Sequence, residues 1–196
     1  QAIAVRTGRI MAVGGNEEIS DLADPSTQKI DLKGRLVLPG MMDSHFHFYD
    51  WAMGRKQLEL AGEASLDHLL EKVAGSTREK PAGSWILGQG WNESDWPEHI
   101  MPDRARLDRV APNHPVALWR CDLHLVAVNS MALNLAGIDK NTQNPQDGII
   151  EKDASGEPTG ILRELAPNLI KAVIPDPGNQ EIVSAMQDGI SHLHSL

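Results

Sequence analysis

In the opening stretch AIAVRTGRIMAV, apolar positions alternate with polar or small ones, which predicts two short strands folded about Thr7-Gly8. Asn16 then stands where it can cap a short acidic helix, EEISDLAD, closed by Pro25, and KIDLKGRLVLPG reads as a second pair of strands about Lys33-Gly34. From residue 41 to residue 48 the alternation is regular: Asp43, His45 and His47 fall on one face of a strand, and Met42, Ser44, Phe46 and Phe48 on the other. Downstream the period changes to that of helices. Ser65 is a cap, Leu66, Leu69, Leu70 and Val73 form an apolar stripe with His68 solvated, and Gly75 is the stop. SWILGQGW and PVALWRC read as strands, PDRARLDRV as a short helix with Leu107 and Val110 inward, and NSMALNLAGI as a helix ending at Gly137. DGIIEKDASGEPTGIL predicts a hairpin, Pro167 starts a helix, and the last helix carries Ile182, Met186, Ile190, Leu193 and Leu196 on one stripe.

Composition narrows the class. With 41% hydrophobic residues in 196, the chain can bury one good-sized core or two small ones. A net charge of -9 and no block of Lys and Arg argue against nucleic acid or an anionic membrane as partner. The single cysteine, Cys121, excludes an internal disulfide and a four-cysteine zinc site, and it reads as an inert core thiol. No apolar run approaches the roughly 18 residues of a membrane helix, and no signal peptide is visible, so cytoplasm is the expected location. The chain starts at Gln1, which leaves open a removed leader or a piece of a longer polypeptide.

The candidate chemistry begins with DSHFHF. Side chains at i and i+2 on a strand share a face, so His45 and His47 can reach one metal ion; the alternative is a chance pair of ordinary histidines, and spacing alone does not decide. Metal-binding histidines at the C-terminal end of a strand entered through Pro39-Gly40 suit a β/α barrel, which takes about 250 residues to close, more than are present. No G-x-S-x-G and no Walker sequence occurs, GQG is too short for a dinucleotide fingerprint, and the sequon NES at Asn92 is read as chance.

Several stretches in order carry a resemblance. RLVLPGMMDSHFHF is similar to the first barrel strand of the amidohydrolase superfamily, with its DxHxH signature. GQGWNESDWP, PVALWRCDLHLVAVNSMALNLAGI and DGIIEKDASGEPTGILRE resemble the segments that follow in amidohydrolase family 3, the subgroup related to N-acyl amino-acid and formamide deacylases. The resemblance runs from AIAVRTGRIMAVG to the last helix.

It implies an α/β protein: part of a small β-sandwich over residues 1–38, the first strand of a metal-dependent β/α (TIM) barrel and its loop over 39–60, an inserted α+β subdomain over 61–178, and over 179–196 a helix leading to the next barrel strand. His45 and His47 would be the first two ligands of a divalent metal, zinc by preference, with one or two ions in the full-length enzyme, and Asp43 would orient one imidazole from behind. The general base and the remaining ligands are expected beyond Leu196, so the implied hydrolysis of a small amide-type substrate is not expected of these residues alone.

His124 and Asn129, in the cluster Arg120, Asp122, His124, Asn129, resemble the family's DxH…NS segment and are candidates for substrate contact; turn and cap chemistry is the alternative. Trp91 is left open between a wall of an acyl pocket and a subdomain core, whereas Trp85 reads as core. A non-catalytic scaffold or interaction module is the competing reading, and an isomerase or decarboxylase on the same barrel is a third. Strand edges left by an incomplete barrel favour pairing into a homo-oligomer.

Overall fold

A computed structural model describes residues 1–196, and its contacts divide them into two compact units, 1–44 and 45–196. In the first, β1 (Ala2–Arg6) and β2 (Arg9–Gly14) form an antiparallel hairpin. Thr7 and Gly8 both have positive φ, 49° and 72°, the turn conformation that matches the twist of two paired strands. Helix α1 (Asn16–Ser20) buries Ile19. Its cap is Gly15, whose N–H donates to Glu18 Oε2 at 3.4 Å, so Asn16 is the first helical residue and not the cap.

The rest of this unit departs from the expected strands. Lys33 and Gly34 do make a turn, with positive φ and Arg35 N–H donating to the Leu32 carbonyl at 3.0 Å, yet the residues on either side pair with nothing. Residues 41–47 are likewise irregular; Met41 and Met42 are 96% and 94% exposed. A strand is held by ladder bonds to neighbours, and neither sheet offers this segment one, so its alternation has no pleat to express it.

The second unit is built on a six-stranded mixed sheet in the order β3 (Leu58–Glu59), β4 (Ile86–Trp91), β5 (Val116–Arg120), β6 (Leu125–Val128), β8 (Pro158–Glu164), β7 (Gly148–Lys152). The first three strands are parallel and the remaining pairings antiparallel. Both faces are covered. On one, α3 (Leu66–Thr77) and α4 (Arg104–Val110) pack Leu69, Val73 and Leu107 against Val116, Leu118 and Ala127. On the other, α5 (Ser130–Leu135) and α6 (Pro167–Lys171) pack Leu133 and Ile170 against Ala117, Val126 and Leu162. At the outer edge of β7, Ile150 N–H donates to Asn144 Oδ1 at 2.9 Å.

Ser65 caps α3 by accepting from His68 N–H at 3.2 Å, but the helix runs through Gly75 to Thr77. A glycine in the middle of a packed helix costs about 1 kcal/mol, too little to end it.

Two further helices, α2 (Phe48–Gly54) and α7 (Asn179–Leu193), pack on each other. The buried stripe of α7 is not the one its large apolar residues suggest. Ala185 and Gly189 are buried, while Ile190 and Leu193 are 45% and 39% exposed. A Cβ on Gly189 would meet Phe48, Trp51 and Ala52 at 3.1–3.2 Å, so the small residues are what let the aromatic face of α2 approach. Trp51 also faces His192 at 5.9 Å between ring centroids, and Lys56 pairs with Asp188. No helix is long and apolar enough to cross a membrane.

Candidate functional site

His45 and His47 lie at the start of the second unit, immediately before α2, and both are exposed. His47 is the N-terminal cap residue of α2, its carbonyl accepting from Trp51 N–H at 3.0 Å. The two imidazoles converge: Nε2 of one is 3.1 Å from Nε2 of the other, with ring centroids 5.1 Å apart. Two imidazole nitrogens bound to one zinc at the tetrahedral angle, each about 2.0–2.1 Å from it, stand about 3.3 Å apart. The donor pair therefore fits a shared cation. It reaches that geometry through irregular chain and a helix start, not through two positions on one strand face.

Beyond the pair, the described residues hold no cluster of three or more His, Cys, Asp or Glu side chains placed to bind a metal. Asp50, in the first turn of α2, puts Oδ2 3.7 Å from His47 Nδ1, on the side of the ring away from Nε2. Metal-bound histidines commonly turn their second nitrogen toward a carboxylate. Asp43, expected to orient one imidazole from behind, lies on exposed irregular chain two residues before His45. The signal for Asp50 was legible: an acidic residue three positions after a histidine faces it once a helix begins there.

A second cluster gathers at the ends of β5 and β8, around a cleft of about 190 Å³ lined by Glu93, Arg120, Asp122, His124, Arg163 and Glu164 among others. Arg120 is held on three sides. Its Nε and Nη2 donate to the Glu93 carboxylate at 2.8 and 3.1 Å, Nη2 also to Asn92 Oδ1 at 2.9 Å, and Nη1 to Asp122 Oδ2 at 2.5 Å. The forked hydrogen bond from Arg120 holds the Glu93 carboxyl below its ordinary range, and the same contacts raise the guanidinium. Burial pushes Asp122 up, but the His124 N–H and Arg120 outweigh it and its net shift is downward. His124 places Nδ1 3.0 Å from Glu164 Oε2 with 69% of its side chain exposed. Arg163 is paired with Glu151 at 3.0 Å.

Asn129 and Trp91 do not join that cleft. Asn129 is 1% exposed and uses its whole amide: Oδ1 accepts from Val116 N–H and Ala132 N–H at 3.0 and 3.1 Å, while Nδ2 donates to the Ala111 and His114 carbonyls at 3.2 and 2.8 Å. It caps α5 and ties that helix to β5, which corrects the expectation of substrate contact. Trp91 is fully buried, with Nε1 donating to the Leu118 carbonyl at 2.9 Å. The cause lies one residue earlier. Gly90, at φ 101°, is an extra residue in the β4 ladder, so Trp91 faces the same layer as Ile86 instead of sharing the face of Gln89. Trp85 packs half-buried against the opposite cluster, as expected of a core residue, whereas Cys121 is exposed at the end of β5 and is not a core thiol.

The family model described as Amidohydrolase family matches residues 28–195. The chain belongs to the amidohydrolase family. This amidohydrolase chain is 36% identical over 191 residues to YtcJ of Bacillus subtilis, covering 97% of the chain and 36% of that protein. It is 38% identical over 172 residues to the N-substituted formamide deformylase of Arthrobacter pascens, covering 87% of the chain and 32% of the relative. Among solved structures, a metal-dependent hydrolase from Pyrococcus furiosus superposes with a TM-score of 0.63 at 27% identity, over 98% of this chain and 38% of that one. The chain thus spans about a third of the length of the relatives it matches. Its mixed α/β architecture is similar to that part of a metal-dependent hydrolase.

Proposed function

We propose that these residues are the N-terminal portion of a metal-dependent amidohydrolase that hydrolyses non-peptide carbon–nitrogen bonds of small amide-type substrates. The observation that carries the reading is the convergence of His45 and His47 Nε2 at 3.1 Å. As neutral imidazoles the two would hold a divalent metal, zinc by preference, with Asp50 behind His47 and Asp43 as a further carboxylate two residues before His45. Such an ion, when bound, supplies Lewis acidity toward an amide carbonyl and lowers the pKa of water toward about 7. His124, exposed at the rim of the 190 Å³ cleft, would meet the polar part of the substrate. In the complete protein, residues 1–38 would belong to a small β-sandwich, and 41–48 to the first barrel strand once neighbouring strands supply its ladder. The relative named for N-substituted formamides favours this bond class.

With two ligands and no general base assigned, residues 1–196 alone are expected to be inactive. The test compares this chain with the polypeptide of the complete reading frame, both supplied with zinc, by amine release from N-substituted formamides and N-acyl amino acids. Turnover by the complete protein, lost in His45→Ala and His47→Ala, is the expected result. Turnover by residues 1–196 would overturn their predicted inactivity. No turnover by either, with no metal bound, would replace the reading by that of a scaffold module.

A further inference from the structure

We propose that His124, held in place by Glu164 as its positioning residue, is the hydrogen-bond acceptor that selects the substrate: the preferred amides are those whose amine part ends in an amino or hydroxyl group and not in a carboxylate. The inference rests on the reading of this protein as a hydrolase of small amides and adds to it the group that the substrate must carry.

The main chain of His124 is tied on both sides. Its N–H donates to Asp122 Oδ1 at 3.0 Å, and its carbonyl accepts from Glu164 N–H at 2.7 Å. The ring is held by the same Glu164, whose Oε2 lies 3.0 Å from Nδ1. An ionised carboxylate only accepts, so Nδ1 carries the proton of the neutral ring and Nε2 is left as an acceptor. With 69% of the side chain exposed at the rim of the 190 Å³ cleft, that acceptor is open to a ligand.

Glu164 reaches His124 through backbone and side chain together at a φ of 57°, in the left-handed region where glycine is the ordinary choice. Glycine there would relieve the backbone and lose the carboxylate. Charge in the cleft points the same way. Arg120 is turned to Glu93 and Asp122, and Arg163 gives Nε and Nη2 to Glu151, so both guanidiniums face carboxylates of the protein itself. With Glu164 added, the carboxylates outnumber the guanidiniums, which draws in a cationic or neutral donor and repels an anionic substrate.

The test uses the polypeptide of the complete reading frame, supplied with zinc, on N-alkylformamides of matched length that end in an ammonium, a methyl or a carboxylate group. The expected KM is about tenfold lower for the ammonium than for the methyl compound, and highest for the carboxylate. His124→Ala and Glu164→Gly should erase the ammonium advantage through KM, with kcat held within about twofold. Glu164→Gly, freed of the left-handed strain, should melt no lower than the wild type. Glu164→Gln keeps an oxygen for the Nδ1 proton and should retain most of the advantage. A loss in Glu164→Gln as large as in Glu164→Gly would overturn the positioning role. A lowest KM for the carboxylate compound, or an ammonium advantage untouched in His124→Ala, would overturn the proposal while amide hydrolysis stands. No amine release from any amide, N-acyl amino acids included, would overturn the underlying reading and this one with it.

Discussion

Two stretches of this chain look alike as sequence and behave differently in space. LVLPGMM, residues 36–42, and PVALWRC, residues 115–121, are both apolar, β-branched in part and bounded by turn residues. The second forms β5, with β4 on one side and β6 on the other, and four of its five residues are buried. The first pairs with no strand and leaves Leu36 81% and Leu38 61% exposed. Strand propensity is a fit to a half-buried pleated surface, not an intrinsic preference of the backbone, so the same letters become a strand only where neighbours exist. The two candidate sites divide the same way. The Arg120 cleft is held by a cross-braced sheet end, whereas the histidine pair stands on irregular chain at a helix start.

Substitutions can break or sharpen that contrast. The largest effect is expected at Trp91→Ala, which empties the β4 layer and strands the Leu118 carbonyl; unfolding of the 45–196 unit should lose about 3–5 kcal/mol in a denaturant titration. Asn129→Ala leaves two N–H groups and two carbonyls buried without their partners and should cost about 1–3 kcal/mol in the same measurement. Arg120→Ala should cost about 2 kcal/mol, less than the core changes because the pair is only partly buried. Glu93, held below its ordinary 4.5, adds stability that is present above that pH and fades as pH falls through the lowered folded value; Arg120→Ala should flatten this acid-side loss in thermal melts. The smallest effect belongs to residues 36–42. Leu36→Ser and Met41→Ser should change stability by no more than about 0.5 kcal/mol. A loss there as large as at Trp91 would show that the two stretches share one kind of packing and would end the contrast.

Much of the second unit was legible. Ser65 and Pro167 mark helix starts, Gly137 a helix end, and the hairpin of β7 and β8 follows from DASGEP, because caps and turns depend on a few adjacent residues. The errors lie where distant groups decide. Trp91 stays open between pocket wall and core until the Gly90 bulge turns it inward, and Asn129 between substrate contact and cap until four backbone groups close around it. The buried stripe of α7 follows the aromatic rings of α2 and not its own largest side chains.

Sequence by itself determined the family, the local caps and turns, and that His45 and His47 stand one residue apart, since each of these rests on residues adjacent in the chain. Tertiary structure decided which apolar runs became strands, that Asp50 stands behind His47, and that Arg120 is locked by Glu93 and Asp122. Each of these depends on a ladder, a helix start or a charge pair assembled from separate parts of the chain, and only folding brings those parts within bonding distance.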